Sequence, residues 1–143
     1  MAVFLTLVLG SLAARATLAD TWPAAIACGL ALMFTLTGIA HFVPGMRRDM
    51  IAIVPPPLPA PALLVTVTGV LELMGAVGVV YPPTRADAAG CLFVLMLAMF
   101  PANIYAARMP DPPASMTANL GLRSAEEAVY LAAAIVVAVR GGQ

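Results

Sequence analysis

Apolar residues fall along the chain in long blocks, and proline supplies the punctuation between them. Of thirteen prolines, twelve sit at expected helix starts or in connections, because a lost N–H inside hydrocarbon is costly. Only Pro101 lies within an apolar block. Crossing a bilayer takes about 20 residues of helix, and four blocks meet that length: 22–42, 62–81, 87–108 and, barely, 124–140. A shorter block, 1–18, precedes them and carries Arg15 near its end, where a long side chain reaches the headgroups. That block is either a short fifth helix or a signal peptide. Ala14-Arg15-Ala16 loosely imitates a small-residue cleavage site, but no charged segment leads it beyond the amino terminus. The pattern predicts an all-α fold over 1–143, a single transmembrane helical bundle of four full spans with a short N-terminal helix in front.

Composition removes the soluble alternative. Charged residues make up 10% of the chain and hydrophobic residues 62%, with a mean hydropathy of +0.99, where a soluble domain carries about 25% charged residues. A chain of this length has no polar exterior to offer water, so the expectation is a multi-pass protein of the cell membrane, with the lipid bilayer as its solvent. The net charge is zero and the seven basic residues, all arginine, form no patch, which excludes nucleic acid as a partner. Cys28 and Cys91 stand alone in apolar blocks, with no CxxC or Cys/His spacing that would hold a metal, so they read as small apolar residues.

The longest connection, 43–61, holds Arg47-Arg48-Asp49, then Ile51-Ala52-Ile53-Val54, then five prolines in seven positions. This is a short amphipathic piece followed by a stiff, extended segment. It either caps the bundle at the membrane interface or serves as a spacer. If its side is termed end B, Arg47, Arg48, Arg108 and Arg123 lie there, against Arg15, Arg85 and Arg140 at end A. The small excess favours end B as the cytoplasmic one. Arg85, Asp87 and Arg140 at end A are accounted for by solvation.

Several polar residues stand where hydrocarbon should exclude them. Glu72 sits near the middle of its block, and its same-face neighbours Thr68, Gly69, Gly75 and Ala76 are all small, which lets a second helix approach. An ionisable group there is expected to face protein, either as a functional group or as a structural hydrogen bond between helices. His41 follows Thr37 and Gly38 by one turn at the end-B limit of its block. Asn103 and Tyr105 follow Pro101 near the end-B limit of theirs. Alternating helix direction brings His41 and Asn103 to one membrane face, with Glu72 ~16 Å below it at helical rise. Ser124-Ala125-Glu126-Glu127 has the spacing of a capping box, which would tie Glu127 to a helix start. The candidate pocket is therefore Glu72, His41, Asn103, Tyr105, Thr37 and Thr68, with Glu72 and His41 the candidates for proton chemistry.

Four blocks in order, Thr37-Gly38-Ile39-Ala40-His41-Phe42-Val43-Pro44, Ile53-Val54-Pro55-Pro56, Thr68-Gly69-Val70-Leu71-Glu72-Leu73-Met74-Gly75-Ala76 and Phe100-Pro101-Ala102-Asn103-Ile104-Tyr105, resemble the DoxX-like family of small bacterial membrane proteins. The resemblance covers the chain from about Trp22 onward. It implies a four-helix membrane bundle and an association with redox chemistry, because the family takes its name from a subunit of a thiosulfate:quinone oxidoreductase. The paired cysteines of thiol-redox relatives are missing here, which argues against disulfide exchange, and the resemblance carries over no catalytic residues.

Three functions follow as expectations. The first is a quinone-linked redox subunit, with the quinone bound beside Glu72, His41 and Asn103. The chain has no flavin, haem or iron–sulfur ligand set, so no intrinsic cofactor is expected and a partner oxidoreductase subunit is. The second is a non-catalytic scaffold or assembly subunit, in which Glu72 and Asn103 join helices. The third is small-solute transport, which with so few spans requires a homo-oligomer.

Overall fold

A computed structural model describes residues 1–116 and 119–141. Six α-helices make up the described chain: α1 (Ala2–Thr17), α2 (Trp22–Ala40), α3 (Pro44–Ala52), α4 (Pro61–Val80), α5 (Arg85–Arg108) and α6 (Leu120–Arg140). No strand occurs among the described residues. Three segments are long and apolar enough to cross a membrane: Trp22–Ala40, Pro61–Val80 and Pro82–Arg108. The expected four full spans reduce to three by that measure, because Arg123, Glu126 and Glu127 occupy the first two turns of α6. Helix α1 is apolar but short.

Local chemistry sets the helix ends. Thr21 accepts from the Ala24 N–H and Pro23 follows within the first turn, a favourable start for α2. Asn119 accepts from the Leu122 N–H at 2.8 Å, so α6 begins at Leu120 and not at 124. Ser124 and Glu127 consequently lie inside the helix, and the expected capping box is not formed. The 43–61 connection contains α3, which buries none of its residues, before the proline segment. Ala60 closes that segment with a left-handed φ of 51°, and Pro61 then opens α4.

Helices α2, α4, α5 and α6 pack as a closed ring, each touching the next, and α1 lies along α2. The core is built from Leu30, Met33, Phe34, Ala76, Val79, Leu92, Met96, Tyr130, Ala134 and Val137, joined by Leu7 of α1. The outward positions of the same helices are also large and apolar, including Leu36, Met74, Val77, Val94 and Val139. Water gains nothing from such an exterior.

Two arginines fasten the ends. At end B, Arg47 of α3 donates to the carbonyls of His41 and Ala62 and to Thr66 Oγ1, at 2.9 to 3.2 Å, joining α3 to the end of α2 and the start of α4. At end A, Arg85 is not simply solvated: it donates to the carbonyls of Val79 and Val80 at the end of α4 and to that of Gly141 after α6. Cations on helix C-terminal carbonyls are favourably placed.

Helix α2 also lies close on α4. A Cβ on Gly38 would meet the Leu73 side chain at 2.8 Å and the Gly69 carbonyl at 3.2 Å, and a Cβ on Gly69 would meet His41 Cβ at 2.6 Å. Because α2 ends level with Gly69, the first two turns of α4 project beyond it and carry α3. His41 therefore sits deeper than the end-B surface and within one turn of Glu72, not ~16 Å above it as the sequence suggested.

Gly69→Ala is expected to lower the midpoint of thermal unfolding in detergent, since the overpacking cost of about 1–3 kcal/mol exceeds alanine's helix-propensity gain. Gly90→Ala, which meets nothing within 4 Å, is expected to raise it.

Candidate functional site

A cavity of about 110 Å³ opens between the helices in the end-B half, lined by Met33, Phe34 and Thr37 of α2, Glu72 of α4, Met96, Met99 and Asn103 of α5, and Glu127 and Tyr130 of α6, with Val3 of α1 over it. The helix directions explain the gathering. The last turns of α2 and α5 and the first turns of α6 and α1 meet at this level, and α4 contributes its midpoint.

Glu72 is 3% exposed and its Oε2 has no hydrogen-bond partner among the described residues. Thr37, one helix away, faces its carboxyl. The Thr37 hydroxyl itself leans on the Met33 carbonyl at 3.2 Å. Glu127 Oε1 and the Tyr130 hydroxyl are likewise buried without a partner. Buried polar atoms are almost always paired, by protein or by water, and three of the four buried side-chain oxygens without a partner among the described residues belong to residues that line this cavity. Among the described residues, no three His, Cys, Asp or Glu side chains assemble as a metal ligand set.

His41, one residue past the end of α2, is 4% exposed and lies behind Glu72, outside the cavity lining. Its Nδ1 is 2.8 Å from the Thr37 carbonyl oxygen and 3.7 Å from Glu72 Oε2. A carbonyl only accepts, so Nδ1 bears a proton. Burial holds the imidazole below its usual pKa; the bond to Thr37 opposes that and the Arg47 charge adds to it. With the proton on Nδ1, Nε2 is the nitrogen that stays open to a second partner.

Asn103 combines two roles. Its Oδ1 accepts from Arg123 Nη1 at 2.8 Å, joining α5 to α6, while the residue also borders the cavity. Thr68 turns back onto its own helix, donating to the Leu64 carbonyl at 2.9 Å, and is not part of the lining. Tyr105 is half-buried and also stands outside it. Glu126, beside Glu127, faces elsewhere and meets the Met1 amino group at 2.6 Å.

Sequence reasoning assigned Glu127 to a cap and gave Tyr130 no part in the pocket. The signal lay in the spacing: residues 127, 130, 134 and 137 follow one helix face, and the last three are buried in the core. Both cysteines are free, Cys28 half-buried and Cys91 exposed.

Comparison with known proteins yields one match. Residues 30–139 fit a family described as a Domain of unknown function (DUF8561), so α1 and the first turns of α2 fall outside the matched region. No curated protein and no solved structure matches the chain.

A double-mutant cycle of Asn103→Ala with Arg123→Met, read by thermal unfolding, is expected to give a coupling energy of about 1 kcal/mol, within the range of interhelical polar pairs.

Proposed function

The chain belongs to the family described as Domain of unknown function (DUF8561), and from that premise we propose that it is a membrane-spanning bundle whose cavity binds a quinone headgroup and supplies its protons. The carrying observation is the set of three buried polar atoms, Glu72 Oε2, Glu127 Oε1 and Tyr130 OH, left unpaired around one space. A quinone presents two carbonyl oxygens to such donors and a flat ring to Phe34 and the methionines. Its reduction takes two electrons and two protons, forming one O–H bond on each oxygen. The two carboxyls are the proton sources, and a partner redox subunit in the same membrane is the source of electrons.

The apolar exterior supports a bilayer as solvent, with α6 as the fourth span. Its polar first turns lie against α5 and the cavity, and its exposed large residues beyond them, Val129, Ile135, Val136 and Val139, are apolar up to Arg140. The likeness of the Thr37, Thr68 and Phe100 blocks to the DoxX-like family supports the redox association. Cavity size sets a condition: about 110 Å³ is less than the about 150 Å³ that takes up a benzene ring. The walls that must give way are Met33, Met96 and Met99, whose unbranched side chains repack at low cost.

The competing scaffold reading is favoured by the Arg123–Asn103 bond, which is structural on its face. It leaves the three unpaired atoms without a role.

Tyr130→Phe and Glu72→Leu in proteoliposomes are each expected to weaken binding of a labelled short-chain quinone by about five-fold or more, the cost of one lost hydrogen bond of about 1 kcal/mol. Unchanged binding in both, with helical content intact by circular dichroism, rejects the quinone reading in favour of the scaffold.

A further inference from the structure

We propose that His41 and Thr37 form a proton route from end B to Glu72, and that Glu127 is a second acid on the opposite wall of the cavity that this route does not serve. The inference deepens the quinone reading and rests on it for the identity of the final acceptor. The route itself rests on geometry alone.

Glu72 and Glu127 come from α4 and α6, helices that are not neighbours in the ring; both side chains line the same cavity, and each has a buried oxygen without a partner among the described residues. Two acids on two walls suit a ligand that takes up one proton at each end. Behind Glu72 stands a titratable group, His41. His41 Nδ1 lies 3.7 Å from Glu72 Oε2, beyond hydrogen-bonding distance, and holds the Thr37 carbonyl at 2.8 Å. A small rotation of the imidazole, or one bridging water, exchanges the carbonyl for the carboxylate.

The step balances without a further reactant. After Glu72 has given its proton to the ligand, the His41 Nδ1–H bond breaks as an O–H bond forms on Oε2. An N–H bond forms at Nε2 with a proton from a hydronium ion at end B, which is left as water. The ring begins and ends neutral, and proton exchange with water, one nitrogen taking up a proton as the other releases one, restores the first tautomer.

The groups around Glu72 are consistent with this direction of flow. Helix α2 offers Thr37 and, just past its end, His41. Helix α5 offers only methionines and Asn103, whose amide oxygen is held by Arg123. Helix α6 offers Glu127 and Tyr130 across the cavity. Arg47 of α3 stands on the outer side of His41, fixed by three hydrogen bonds to the His41 and Ala62 carbonyls and Thr66. The imidazole is the single base in this set through which a proton reaches Glu72 from end B. Glycine at position 69 keeps the ring in that place, since any Cβ there would displace it.

The test is infrared spectroscopy of the full chain in lipid vesicles, following the carbonyl stretch of protonated carboxyls after transfer from H2O to D2O, with no quinone present. Glu72→Gln and Glu127→Gln are each expected to remove a different band. His41→Gln, which keeps the donor to the Thr37 carbonyl but cannot relay a proton, is expected to slow exchange of the Glu72 band roughly a hundredfold, the low end of what a positioned acid–base group contributes. The Glu127 band should exchange at its original rate. In His41→Ala, added imidazole should restore the Glu72 rate. Equal exchange in wild type and His41→Gln, equal slowing of both bands, or no imidazole rescue overturns the route. Because no quinone is used, the route can fail while quinone binding stands, and the reverse.

Discussion

The close approach of α2 and α4 is the contact on which the rest of the arrangement depends. Without side chains at Gly38 and Gly69, the two backbones come near enough for the ring of His41 to lie directly on α4. That proximity, with the hydrogen bond from Nδ1 to the Thr37 carbonyl, brings His41 within 3.7 Å of Glu72. It also leaves the start of α4 projecting past α2, which gives α3 and Arg47 a surface to tie together. In a bundle with apolar side chains on both its inner and outer faces, small residues are the main means of specifying which helices touch.

Polar groups are divided in a consistent manner along the bundle. Arginines hold the two ends, where backbone carbonyls of finishing helices need donors: Arg85 at end A, Arg47 at end B. Arg123 reaches inward to an amide. The carboxyls in the interior are treated differently, for Glu72 Oε2 and Glu127 Oε1 are each buried without a hydrogen-bond partner among the described residues. A carboxyl placed only to hold helices together would be expected to have its partner in the fold. Glu72 and Glu127 instead face a space.

Much of this was legible in the chain. Block lengths and proline positions located the long helices, because a segment either has enough apolar residues to form a membrane-length helix or does not. Glu72 stood out since small neighbours at i±3 and i±4 announce a close helix contact. What escaped was of two kinds. The start of α6 depended on the weak capping signal of Asn119, and reading Ser124 as the cap hid Glu127 among terminal residues, although its spacing with Tyr130 put both on the core face. The depth of His41 was set by where α2 ends relative to α4, a tertiary offset with no local signature. Thr68 shows the opposite error: a threonine on the right face still turned back to its own helix carbonyl, as such side chains readily do.

The asymmetric position of the cavity has an electrical meaning. Glu72 lies ~16 Å along α4 from Pro61 at helical rise, about half the thickness of a hydrocarbon core of about 30 Å. Carrying one charge across a whole membrane is worth about 2.3 kcal/mol per 100 mV, so a charge brought to Glu72 from end B alone does about half that work. Were the proposed route to operate in an energised bilayer, the occupancy of this carboxyl would be coupled to voltage as well as to the acidity of the compartment at end B.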